Sequence, residues 1–116
     1  MKPKKITYED LIEAFPKKLG KCSFEINEGW YEIIWDLCEQ LSHNKDIYFR
    51  QIKEKFGSMR IYAALYSDED YALISEACKR SQTTCERCGQ PGSIVDSEWV
   101  YVACGKHILQ RDIEKI

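Results

Sequence analysis

Apolar positions in this chain recur at two different periods, and those periods lay out its elements. Between Gly29 and Ser42, the residues Trp30, Ile33, Ile34, Leu37, Cys38 and Leu41 return every three or four positions, with Glu32, Asp36, Glu39 and Gln40 between them. This is an apolar stripe of helical period, so the spacing predicts an amphipathic helix over about 29–42. Trp30 and Trp35 are read as core, because large aromatics dominate interiors. From Met59 to Tyr66 the period drops to two. Met59, Ile61, Ala63 and Leu65 share one face, and Arg60, Tyr62, Ala64 and Tyr66 share the other. Alternation of this kind predicts a strand. The stretch between carries Ile47, Tyr48, Phe49, Ile52 and Phe56. It fits either a short strand entering a turn or a helix stopped at Gly57.

End signals place the rest. Thr7 with Asp10 three positions on is an N-cap pattern, so a helix runs over 7–15 with Leu11, Ile12 and Phe15 on its apolar side. Pro16 ends it, Lys17 to Gly20 reads as a basic turn, and Lys21 to Ile26 as a short strand. Ser67 before Asp68-Glu69-Asp70 opens a second capped helix reaching Ser81, with Tyr71, Ile74, Ala77, Cys78 and Ser81 inward. Its acidic start and its basic end at Lys79 and Arg80 both suit the helix dipole. Hairpin arms follow at Ser93–Val95 and Glu98–Val102, then a short terminal helix over His107–Ile113. The fold class is therefore α+β in a single domain over 1–116. A helix/strand core covers 1–82, and a zinc-ribbon-like C-terminal third covers 83–116. No linker and no internal repeat interrupts it.

Composition narrows the function classes. At 116 residues the chain is one domain's length, and its core is thin. The net charge of −2 weighs against a protein that coats nucleic acid. No apolar run approaches the roughly 20 residues of a spanning helix. The basic start Met1-Lys2-Pro3-Lys4-Lys5 has no apolar segment behind it, and Glu9 and Asp10 follow at once. That is no secretory signal, so the expected location is a cytosol, where thiols stay reduced.

The six cysteines carry the clearest chemistry. Cys85-Glu86-Arg87-Cys88 is a Cys-x-x-Cys pair, and Cys104-Gly105-Lys106-His107 is a Cys-x-x-His pair beyond a hairpin's length of chain. Each pair turns tightly enough to aim two side chains at one ion, and the hairpin brings the pairs together. Gly89, Pro91, Gly92 and Gly105 supply the turns. The expected site is zinc held by Cys85, Cys88, Cys104 and His107. Four protein ligands leave no open position, so its role is structural. A redox pair at Cys85 and Cys88, disulfides, and iron in place of zinc remain alternatives on spacing alone. Cys22, Cys38 and Cys78 stand among apolar neighbours and read as core.

A second candidate is a basic strip in this acidic chain. Lys45, Arg50, Lys53, Lys55 and Arg60 outnumber Asp46 and Glu54, a net +3. Arg60 is expected to share a strand face with Tyr62 and Tyr66. Arginine offers a planar fork for phosphate, and tyrosine a surface for a base. Arg60, Tyr62, Lys53, Lys55 and Tyr66 are thus the candidate binding residues for a nucleotide-like anion. The competing reading makes Lys53 and Lys55 solvated helix charges and pairs Arg60 with an acidic helix. Enzyme signatures are lacking: there is no Gly-x-Ser-x-Gly, no phosphate-binding glycine loop, no His-Glu-x-x-His, and no deaminase pattern. His43 reads as a residue at a helix C-terminus.

Three segments together resemble a known group. They are Glu28-Gly29-Trp30-Tyr31 with the helix behind it, Gln51-Ile52-Lys53-Glu54-Lys55-Phe56-Gly57-Ser58-Met59-Arg60-Ile61-Tyr62, and Cys85-x-x-Cys88-Gly89 followed by Trp99 and Cys104-x-x-His107. In that order they resemble a widespread family of small phage and prophage proteins of unassigned function. The resemblance spans about residues 28–107; the sequence departs at Met59, where the family usually has leucine, and in a short connection around Ser42–Tyr48. The resemblance implies a phage origin and expression in a host bacterial cytosol, and it supplies no activity. The function expected is a non-enzymatic binding protein that blocks a host defence or regulatory step. It would do so by capturing a host protein or sequestering a nucleotide-derived immune signal, for which a homo-oligomeric sponge is one design. The alternatives are a nucleic-acid-binding zinc ribbon in phage gene regulation and a scaffolding protein of the virion. No membrane partner is expected.

Overall fold

A computed structural model describes residues 2–113 of the chain. Helix α1 (Tyr8–Ala14) starts at Thr7, whose hydroxyl accepts from the Asp10 N–H at 3.1 Å while Asp10 accepts from the Thr7 N–H at 2.9 Å. This is the reciprocal capping box its sequence predicts. Pro16 ends α1 but also begins a second short helix, α2 (Pro16–Leu19), where a basic turn was expected. Proline loses nothing at the first helical position, since the N–H there has no intrahelical partner. Strand β1 (Ser23–Glu25) follows, then a 3-10 turn at Glu28–Trp30 leading into α3 (Tyr31–Gln40). Strands β2 (Tyr48–Lys55) and β3 (Ser58–Ala64) precede α4 (Asp68–Ser81), capped by Ser67 and Asp70 in the same reciprocal way as α1. The C-terminal third holds β4 (Ser93–Asp96), β5 (Val100–Ala103) and α5 (Gln110–Ile113). The expected terminal helix thus begins at Gln110, with His107 in the turn before it. The last three residues of the 83–116 subregion lie outside the described residues.

The larger sheet has the order β1-β2-β3, with β1 parallel to β2 and β2 antiparallel to β3; β4 and β5 pair separately. Its covered face packs Phe49, Ile52 and Met59 against Trp30, Ile33, Ile34, Leu37 and Leu41, with Ile74 and Ala77 of α4 closing the layer. Trp35 is also buried, edge-on to Phe15 at 5.1 Å between centroids. The predicted α3 stripe is therefore the core, and Cys22 and Cys38 are buried in it, with Cys78 packed alongside.

Three local readings change. The stretch before Gly57 is a strand, and Lys53 and Lys55 are strand residues with no place on a helix. A register shift between Phe49 and Gln51 leaves Arg50 as an extra residue. The bulge makes the inward residues Phe49 and Ile52 fall three apart, a helical interval inside a strand. Strand β3 stops at Ala64, because Leu65 takes φ 61° and stands 65% exposed. Tyr71 is 59% exposed on the outer side of α4, where an inward position was expected.

Candidate metal centre

Two tight turns build the site, and the Gly29-Trp30 pair seats the first. In that turn the Gly89 N–H donates to the Cys85 carbonyl at 2.9 Å, with Gly89 at φ 81°, a left-handed geometry that glycine adopts without strain. In the second, the His107 N–H donates to the Cys104 carbonyl at 3.0 Å. Strand β5 delivers Cys104 from Ala103, and the Glu86 N–H donates to Val102 O at 3.2 Å, tying the two turns together. Cys85, Cys88, Cys104 and His107 then present four ligand atoms within 4.8 Å of one another.

The spacing is compatible with one metal ion held among the four side chains. Zinc–sulfur and zinc–nitrogen bonds of about 2.3 and 2.0 Å put neighbouring ligand atoms about 3.5–3.8 Å apart. Cys88 Sγ lies 3.6 Å from Cys104 Sγ, and His107 Nδ1 lies 3.5 Å from Cys85 Sγ and 3.2 Å from Cys104 Sγ. The donor set of three thiols and one imidazole suits zinc and also admits iron. The four side chains would hold such an ion through Nδ1 of His107 and the three sulfurs, closing its coordination shell. The cysteines are all unbridged.

One thiol of the site, Cys85, is tuned apart from the thiols of the core. Burial pushes Cys22 up to about 12, and Cys38 likewise to about 12. Burial also acts on Cys85, but backbone N–H groups of Cys104, Cys88 and Arg87 outweigh it and bring the thiol down to about 6. Hydrogen bonds to a thiolate favour the form that binds metal. The Gln90 backbone pulls Cys88 the same way, but burial and the neighbouring thiols leave it raised.

How the site joins the core was not legible beforehand. A Cβ on Gly29 would stand 2.3 Å from the Cys85 carbonyl oxygen and 2.4 Å from the backbone of Glu86. The Gly29 N–H donates to Glu86 O at 2.8 Å, and the Trp30 indole N–H to Thr84 O at 2.8 Å. Glu86, itself almost buried, accepts from the Asn27 N–H at 3.1 Å. The start of α3 is thus docked directly onto the first turn. The Gly-Trp dipeptide was the available signal, but only the tertiary contact gives it meaning.

The basic strip lies elsewhere. Lys53 pairs with Arg60 across β2 and β3, and its ammonium stands 5.7 Å from the Tyr62 ring centroid. The Arg50 guanidinium stands 5.8 Å from the Tyr48 ring centroid. Lys55 lies beside Phe56 at the hairpin end. Tyr66 stands beyond Leu65 and stacks on Tyr71 at 6.1 Å, so it belongs to a different element from Arg60 and Tyr62. His43 follows α3 and its Nε2 lies 2.8 Å from Asp70 Oδ1. Among the described residues no helix is long and apolar enough to cross a membrane. No protein-family model, no curated protein and no solved structure matches the chain.

Proposed function

We propose that the protein is a non-enzymatic binding module in which a structural zinc ion rigidifies the scaffold and the open sheet face captures a nucleotide-like anion. The observation that carries this reading is the unpaired charge on that face. Arg50, Lys53, Lys55 and Arg60 make no ion pair among the described residues, and two of them stand beside exposed or half-exposed tyrosine rings. Cations next to aromatic faces suit a ligand that brings both phosphate and base. Four ligand side chains that would leave a bound ion no open position fit binding better than turnover. With the phage resemblance, the reading becomes a phage protein that withholds a nucleotide-derived signal from the host.

Calorimetry with nucleotides tests it. Wild type is expected to bind nucleotides at least about tenfold more tightly than pyrophosphate, and Arg60→Ala with Tyr62→Ala is expected to remove that excess while metal content stays unchanged. Absence of heat with mono-, di- and cyclic nucleotides would remove the nucleotide reading. A mobility shift with single-stranded nucleic acid at low salt, and none with small nucleotides, would favour gene regulation instead.

A further inference from the structure

His107 reaches the metal position through Nδ1, and its other ring nitrogen has no hydrogen-bond partner among the described residues. A metal-bound histidine normally donates its second N–H to a carboxylate, a carbonyl or water. Among the described residues no such acceptor is supplied. His107 and the exposed Cys88 instead line a groove of about 570 Å³ between the first metal turn, the chain before α1, and the start of α3. That volume lies within the range of small-molecule sites.

The groove's charges are unevenly satisfied. Arg80 lies within ion-pair distance of Glu32 and Asp36, which Lys2 also engages. Lys4, Lys5 and Arg87 line the same groove and make no ion pair among the described residues. Against them stand Glu28 and a centre of one dication with three thiolates, which is singly negative. The surplus is one positive charge. Attraction by bulk charge is therefore modest, and the occupant must contribute several acceptors in a small volume. Arg87 stands on a ridge, because it also lines a groove on the other side with Glu25, Glu54 and Glu86. Three carboxylates there make an anion unwelcome, so the groove with Lys4, Lys5 and His107 is the side on which Arg87 meets an anion.

We propose that this groove is a second binding site, distinct from the sheet face, for the phosphoryl group of a small molecule. Its tetrahedral oxygens would accept from Arg87, Lys4, Lys5 and the free N–H of His107. A phosphoryl group fits because it offers three acceptors around one centre, matching a fork, two ammonium groups and a ring N–H. The site rests on the metal reading, since ligation through Nδ1 leaves Nε2 as the ring nitrogen open to a ligand, but it does not rest on the sheet-face reading.

Pyrophosphate is the probe, titrated calorimetrically into metal-loaded protein at low salt, with acetate at matched ionic strength as control. Saturable binding is expected for pyrophosphate alone. Lys4→Ala with Lys5→Ala, and separately Arg87→Gln, should each weaken it about tenfold or more, while Lys79→Ala, an exposed cation outside both sites, leaves it unchanged. Metal content and far-ultraviolet dichroism show that each variant is folded and loaded; the lysine pair lies outside the metal turns and keeps the test informative if Arg87→Gln loses metal. No saturable binding, equal binding of acetate, or binding lost in Arg60→Ala but kept in the groove variants would each overturn the proposal.

Discussion

Cys38 and Cys85 are both fully buried, yet their surroundings treat them in opposite ways. Cys38 lies in α3 among Leu37, Leu41 and Ile34, and burial alone makes it an inert apolar filler. Cys85 is ringed by backbone N–H groups that favour its thiolate. The same contrast separates the two regions of the molecule. The helix-and-sheet region buries nearly all of the large apolar side chains, whereas from Thr84 onward the buried apolar residues are only Cys85, Val102 and Ala103 among the described residues. The first region is held by area removed from water. The second has too little such area; it is docked on the first through Gly29 and Trp30, and an ion held by its four gathered ligand side chains would supply the rest. The difference teaches that a short segment can be ordered by docking on a core it does not itself contain.

The comparison can be broken most severely at a ligand. Cys85→Ser should abolish stoichiometric metal binding and forfeit metal-linked stability on the order of 10 kcal/mol. Hydrogen exchange should then show residues 84–113 unprotected while β2, β3 and α3 keep protection. Equal loss everywhere would mean that the two regions are one cooperative unit. Gly29→Ala comes next. Its Cβ would meet backbone at 2.3–2.4 Å, which nothing flexible relieves. A destabilisation of about 3 kcal/mol or more is expected, by overpacking, together with weaker metal affinity. A chemical denaturation curve and a competitive chelator titration measure the two effects. Trp30→Phe keeps an aromatic ring but removes the donor to Thr84 O and leaves a small cavity, at about 2–3 kcal/mol.

The core's own polar anchor gives a smaller, pH-dependent effect. Asp70 is buried; the Ser67 backbone N–H, with the Asn44 amide and His43 behind it, holds its carboxyl well below the usual range. A lowered folded-state value stabilises the protein above the unfolded value near about 4 and loses that contribution as the pH falls below it. Asp70→Asn should therefore cost about 1–2 kcal/mol at pH 7 and progressively less as the pH falls below about 4, measured by urea unfolding across pH. Arg60→Ala should leave stability within about 0.5 kcal/mol, because the residue is exposed and makes no ion pair among the described residues.

The sequence made some of this legible and hid the rest for physical reasons. Ligand chemistry is local in the chain: two pairs with fixed spacing suffice to name Cys85, Cys88, Cys104 and His107, and the structure brings them together. Helix α3 was legible because one face is wholly buried. Strand β2 was obscured by the bulge at Arg50, which changes the apolar interval from two to three. The end of β3 was missed because Leu65 adopts a left-handed backbone that leucine's side chain does not advertise. Tyr71 was placed inward by spacing, but it stacks on Tyr66 at the surface. The docking of Gly29 on Cys85 joins residues more than fifty positions apart, and no local pattern encodes such a contact.

The central claim is a single ion clamped by four side chains. Cobalt substitution after unfolding and refolding tests it most directly, read by absorption with metal counted per chain. One cobalt per chain, the intense visible bands of tetrahedral coordination and thiolate charge-transfer absorption are expected, all three lost in Cys85→Ser. Substoichiometric cobalt, or the weak bands of an octahedral ion, would contradict it.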